Sequence, residues 1–146
     1  MKKFPKSHEL NGNFAIFLHE IRKDYDQAED YYKRALNSEP DNAHFNGNYS
    51  SLLLGLGRKN DGVIFLEKAE KLTDKDKGLL LELAFYRLAL FPETANKSRE
   101  QIHQYLDEGI TSPGWDFSNI IIQAKKEGCE YVDELKELAE KISKVE

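Results

Sequence analysis

Four histidines, His8, His19, His44 and His103, and one cysteine, Cys129, are the residues best suited to metal ligation or nucleophilic chemistry. The histidines stand at separations that match no metal-ligand pattern. A single cysteine makes neither an intramolecular disulfide nor a cysteine-based zinc site. Acidic Glu127 and Glu130 flank Cys129 and disfavour a thiolate there. Serine–histidine–aspartate catalysis needs a nucleophile elbow and oxyanion donors, and the sequence has no such signature. The run GLGRKNDG, residues 55–62, lacks the preceding strand of a phosphate-cradling loop. These residues argue against an enzyme, a metal centre or a bound cofactor. Better suited to recognition are Asn13 and Asn48, each the second asparagine of an NGN triplet. A carboxamide offers both a donor and an acceptor to an extended chain. NGN is also good turn and cap chemistry, so both roles stand open.

The elements that position these residues come from a duplication. NGNFAIFL, residues 11–18, returns as NGNYSSLL, residues 46–53, after 35 residues, and AEDYYKRA, residues 28–35, returns as GVIFLEKA, residues 62–69, after 34. The one-residue slack falls around Arg22–Lys23, where a turn absorbs it. Each unit reads as two helices. Phe14, Phe17, Leu18 and Ile21 make one helical face and Ala28, Tyr31, Tyr32, Ala35 and Leu36 another. Pro40 drives Glu39 out of helical geometry and closes the first unit. In the second unit Tyr49, Leu52, Leu53 and Leu56 do the first job, and Val63, Leu66 and Ala69 the second. Small residues at Ala15, Ser50, Ala28, Gly62, Ala35 and Ala69 allow the close approach of crossing helices. By this spacing Phe14, Phe17, Tyr31, Tyr32 and Tyr49 are mostly core, and any that point outward would supply an apolar floor for a bound helix or strand.

A weaker third pair follows, a helix over 80–91 and another over 97–109, with Pro92 opening the turn between them. TSPGWDFS, residues 111–118, breaks the pattern, and its Trp115 either docks the segment onto the helices or anchors a partner. Residues 119–126 form a short helix stopped by Gly128. The last helix, 131–142, buries Val132, Leu135, Leu138, Ala139 and Ile142, and its Glu- and Lys-rich face suits the end of a stack. The chain thus reads as all-α, about eight helices in one domain.

Composition agrees. Leu, Ile, Val and Phe number 18, 9, 3 and 8 in 146 residues, enough for a core and above the range of disordered chains. Three valines and three threonines are too few for a sheet-rich fold. A net charge of −5 argues against a phosphate-backbone binder, so no nucleic-acid partner is expected. The longest apolar run, residues 79–91, contains Glu82 and Arg87 and is too short to span a bilayer, and the first residues lack a signal-peptide core. No membrane partner and a cytoplasmic location are the expectations.

The segment DYDQAEDYYKRALNSEPDNA, residues 24–43, resembles the tetratricopeptide repeat, a 34-residue helix–turn–helix unit. The likeness is specific in the first unit and clear in the second, where Asp74 replaces the expected proline. It is loose in the third and absent after Gly109. The usual tryptophan of the first helix is missing, with Asn11–Gly12 and Asn46–Gly47 in those regions. The resemblance implies a right-handed superhelix of antiparallel helix pairs. Its repeats would run about 9–41 and 43–74, with a degenerate pair at 78–109 and a C-terminal helical cap at 112–146. It further implies a non-enzymatic module that holds a protein or peptide in a concave groove lined by the first helices. The positions carried over are Glu9, Asn13, Ile16, His19 and Glu20, then His44, Asn48, Ser51 and Leu54, with Arg87 as a cation from the third unit. A carboxylate clamp needs more cations than Arg87 alone supplies. Two alternatives are a dedicated antagonist or chaperone of one protein, and a protein that self-associates through its C-terminal helix.

Overall fold

The computed structural model describes residues 8–144, with side chains from residue 11 onward, and eight α-helices lie among them with no strand. They are α1 (His8–Phe17), α2 (Tyr25–Ser38), α3 (Ala43–Gly55), α4 (Lys59–Leu72), α5 (Lys77–Leu90), α6 (Ala95–Asp107), α7 (Ser118–Lys126) and α8 (Val132–Ile142). The helices separate into two compact units, one running to Leu53 and adding Arg58–Leu72, the other Leu54–Gly57 and everything from Thr73.

In the first unit the duplicated small residues do what their spacing predicts. Ala15, Ala28, Ala35 and Ala69 are fully buried, and Ser50 donates to the Gly62 carbonyl at 3.0 Å. Ala15, Leu18, Ala28, Tyr32, Tyr49, Leu52 and Leu53 form the core between α1, α2 and α3. At Gly12 an added Cβ would fall 2.3 Å from Cε1 of the Phe45 ring, so a glycine sets the approach of α3 to α1.

The one-residue slack in the repeat has a structural form. After α1 the chain makes a π-helical turn, Leu18–Arg22, and leaves it through Lys23, the only described non-glycine residue in the left-handed region, with φ 57°. A π turn holds one more residue than an α turn over the same path, which is how an insertion enters a helix without breaking it. Asp24 then caps α2, its Oδ1 accepting from the Gln27 amide at 3.2 Å.

The face expected from Phe14, Phe17 and Ile21 is a correction. These side chains are 40, 41 and 68% exposed, while Asn11, Ala15, Leu18 and His19 point inward. Residues three, four and seven apart mark a shared face but not whether another element covers it. Leu56, at 41% exposed, departs from its expected place for the same reason.

The second unit is organised by α5, whose Leu79, Leu81, Leu83, Phe85, Tyr86, Leu88 and Leu90 are buried on all sides, as an apolar helix without a polar stripe must be. Helices α6, α7 and α8 pack on it. The irregular segment before α7 is docked rather than free. Trp115 Nε1 donates to Tyr86 Oη at 2.8 Å, Ser112 donates to the buried Glu82 carboxylate, and the Phe117 ring lies 4.3 Å from that of Phe85. The amides of Ser112 and Gly114 reach the carbonyls of Ile142 and Ser143 at 2.7 and 3.0 Å, and Tyr131 donates to the Leu88 carbonyl at 2.7 Å. Arg99 clasps Glu134 through two bonds of 2.7 and 3.0 Å. On α8, Leu135, Leu138 and Ile142 are buried, with Val132 and Ala139 half-buried beside them.

Candidate partner-binding site

The two NGN triplets share a sequence and split their roles. Asn46, fully buried, donates from Nδ2 to the Pro40 and Asn42 carbonyls at 3.0 and 2.8 Å, which ties the closing turn of one repeat to the first helix of the next. Asn42 completes the entry, its Oδ1 accepting from the Phe45 amide at 2.9 Å. The second asparagines diverge. Asn13 is exposed, whereas Asn48 retains 5% of its surface.

The remaining carried-over positions divide in the same way. Ile16, packed in part against the core, and Glu20 on the π turn are half-buried, and His44 is exposed at the start of α3. Ser51 and Leu54 keep 3 and 1% of their surface, so a partner meets almost nothing of them. One residue beyond Leu54, an added Cβ at Gly55 would fall 3.2 Å from the Asn119 Cβ of α7. Arg87 is half-buried, its guanidinium 5.0 Å over the Phe91 ring. Glu9 lies outside the residues whose side chains are described.

His19 belongs to the interior. At 2% exposure its Nδ1 sits 3.2 Å from Tyr32 Oη and 3.8 Å from Glu20 Oε2, with the Tyr25 and Tyr32 rings edge-on at 6.0 and 6.1 Å. Burial, and then the nearby Glu20 charge, push the Tyr32 hydroxyl well above the usual tyrosine range, so it stays protonated. The cluster fixes the π turn from inside and thereby sets where Glu20 and Ile16 stand.

A second polar cluster escaped sequence reasoning. Tyr49 Oη donates to Glu29 Oε2 at 2.5 Å, and Arg58 donates to Glu29 Oε1 at 3.0 Å, joining α2, α3 and the turn before α4. The Arg58 guanidinium, helped by the Tyr49 hydroxyl and opposed by burial, holds the Glu29 carboxyl below the usual glutamate range. Burial, then the Glu29 carboxylate, raises the Tyr49 hydroxyl above the usual tyrosine range. Nothing local flags this contact, because Glu29 and Arg58 are 29 residues apart. The usable signal is that a buried tyrosine needs a partner for its hydroxyl.

Two features repeat between the helix pairs, small residues at the crossings and an aromatic at Phe14 and Tyr49, while the closing proline turn at Pro40 belongs to the first alone. Residues 21–83 match the family model for the tetratricopeptide repeat. That stretch is similar to the tetratricopeptide repeat. No curated protein and no solved structure matches the chain. Tetratricopeptide repeats generally mediate protein–protein interaction. Among the described residues no group of three or more histidine, cysteine, aspartate or glutamate side chains is placed to hold a metal ion, and no helix is long and apolar enough to cross a membrane.

Proposed function

We propose that this chain is a non-enzymatic, cytoplasmic interaction module that binds a protein or peptide partner through the exposed side of its first repeat and the start of its second. The contact residues are Asn13, Ile16 and Glu20, with His44 from the start of α3. One observation supports this choice: of the described positions in the first two units that the resemblance puts toward a partner, these four keep solvent-accessible surface, while His19, Asn48, Ser51 and Leu54 are covered. Asn13 supplies a donor and an acceptor for a partner backbone, and Ile16 an apolar contact beside it. Glu20 adds charge at one end. The repeat boundaries belong to the same proposal, with units over about 9–41 and 43–74, a degenerate pair over about 78–109 and a helical cap over about 112–146.

The test is capture of partners from a native lysate with the wild-type chain beside the Asn13→Arg, His44→Glu double variant. Both positions are exposed, so circular dichroism should be unchanged. Partners captured by the wild type and lost with the variant support the proposal. Undiminished capture places the contact elsewhere, with the second unit as the next surface to examine.

A further inference from the structure

The π turn of the first unit is tied to α2 from inside, and the tie is a titratable side chain. His19 keeps 2% of its surface and Tyr32, on α2, keeps none. The exit of the turn is closed on one oxygen, the Leu18 carbonyl, which accepts from the Lys23 amide and from the Asp24 amide at 2.9 Å. The link between side chains is the 3.2 Å contact of His19 Nδ1 with Tyr32 Oη.

Burial fixes the direction of this contact. Tyr32 is fully covered, its hydroxyl stays protonated, and among the described residues His19 Nδ1 is its one hydrogen-bond partner. A buried O–H with no acceptor forfeits its hydration and gains nothing in return. Tyr32 therefore donates and Nδ1 accepts, which makes the imidazole neutral with its proton on Nε2. A second proton has only Nδ1 to go to, the lone pair that Tyr32 uses. Two donors then face each other.

We infer that His19 makes the first unit acid-sensitive: a proton taken up at Nδ1 breaks the bond to Tyr32, turns the imidazole toward the Glu20 carboxylate and releases the π turn from α2. The surroundings leave no other course. Among the described residues the titratable groups facing the ring are Glu20 on the turn itself, with Oε2 3.8 Å from Nδ1, and Tyr25 and Tyr32 on α2, both edge-on. Helix α1, which also packs on the turn, has no ionisable side chain among its described residues, and Arg22 and Lys23 are exposed. Glu20 is thus the acceptor for the new N–H. At 3.8 Å it lies beyond hydrogen-bond distance, so the turn must move to reach it.

The sign follows from comparing the two states. The unfolded chain takes up this proton freely near the ordinary histidine value of about 6.5. The folded chain takes it up only by giving up a buried bond. Between about pH 7.5 and about pH 5 the unfolded state binds more protons, and stability rises with pH across that window. A lost bond of this kind moves the unfolding equilibrium about fivefold or more, and at about pH 5 one such site caps the effect near about 30-fold. Glu20 is among the contacts proposed above, so a partner held there is released over the same range. That consequence alone rests on the proposed function.

Two measurements on the full chain test the switch. In wild-type nuclear magnetic resonance spectra, the amides of residues 18–23 and of Tyr32 should shift together on acidification, with a midpoint below that of the exposed His44 and His103. In urea unfolding, going from about pH 7.5 to about pH 5 should cost the wild type about 5- to 30-fold more in the folding equilibrium than it costs His19→Asn. Asparagine offers Oδ1 as the acceptor in place of Nδ1 and does not titrate. A His19 midpoint at or above those of His44 and His103, as a standing ion pair with Glu20 would give, overturns the inference. So does a pH dependence that His19→Asn retains in full. Partner capture that persists in acid while both measurements succeed counts against the proposed contact at Glu20 and not against the switch.

Discussion

Replacing Tyr49 by Phe removes one oxygen and leaves the rest of the side chain in place, which makes it a clean probe of the Glu29 cluster. The ring keeps its contacts with Tyr32 and Phe65, so no cavity term enters. What is lost is a 2.5 Å hydrogen bond to a carboxylate. Bonds to charged groups contribute about 1.5–3 kcal/mol net. Glu29 retains Arg58 at 3.0 Å and Lys33 at 3.8 Å, and its side chain is 16% exposed, so water and the cations compensate in part. The lower end of the range applies, about 1.5–2 kcal/mol. At ~2–4 °C per kcal/mol for a chain of this length, the melting temperature should fall by about 3–8 °C. Urea unfolding followed by far-ultraviolet circular dichroism reads the change directly. In a Glu29→Ala background, where the acceptor is gone, Tyr49→Phe should cost much less. A loss below about 0.5 kcal/mol in the wild type, or an equal loss in both backgrounds, would refute the reasoning, since a bond to a charged acceptor is expected to exceed it.

Gly12→Ala sets two effects against each other: alanine gains up to ~1 kcal/mol of helix propensity, but its Cβ meets the buried Phe45 ring at 2.3 Å, and overpacking costs about 1–3 kcal/mol. Net destabilisation is expected in urea titration, and a stabilised variant would mean that Phe45 yields freely. Because the folded-state pKa of Glu29 is depressed, its contribution is fully present above the ordinary glutamate value of about 4.3 and is lost as pH falls through the lower folded value. The stability gap between the wild type and Glu29→Gln should accordingly be constant from pH 5 to pH 7 and shrink toward more acid conditions; a gap that does not move with pH counts against an ionised Glu29. Trp115→Phe removes the 2.8 Å bond to Tyr86 while keeping an aromatic ring, and should cost about 0.5–1.5 kcal/mol in urea unfolding followed by far-ultraviolet circular dichroism; an unchanged stability would mean that the bond contributes nothing.

Helix order, the turns at Pro40, Pro92 and Gly128, and the small residues at the crossings were legible because each depends on chemistry local to a few residues. The extra residue near Arg22–Lys23 was visible only as slack; that it takes the form of a π turn, with Lys23 left-handed, depends on packing around His19 and Tyr32. Covered and uncovered apolar faces look alike in sequence, so Phe14 and Tyr49 read as equivalent and differ in the fold. The same limit separates Asn13 from Asn48. Contacts across long separations, such as Glu29 with Arg58 or Trp115 with Tyr86, leave no periodic trace. Trp115 was read as docked or partner-facing, and the docked alternative is what the Tyr86 bond shows.

The central claim is that the exposed side of the first repeat carries partner binding. The most direct measurement is isothermal titration of a purified captured partner into the wild type, the Asn13→Arg, His44→Glu variant and a His103→Glu control on the exposed face of α6. The account predicts at least a tenfold loss of affinity for the double variant and none for the control. Equal affinities for the wild type and the double variant would contradict it.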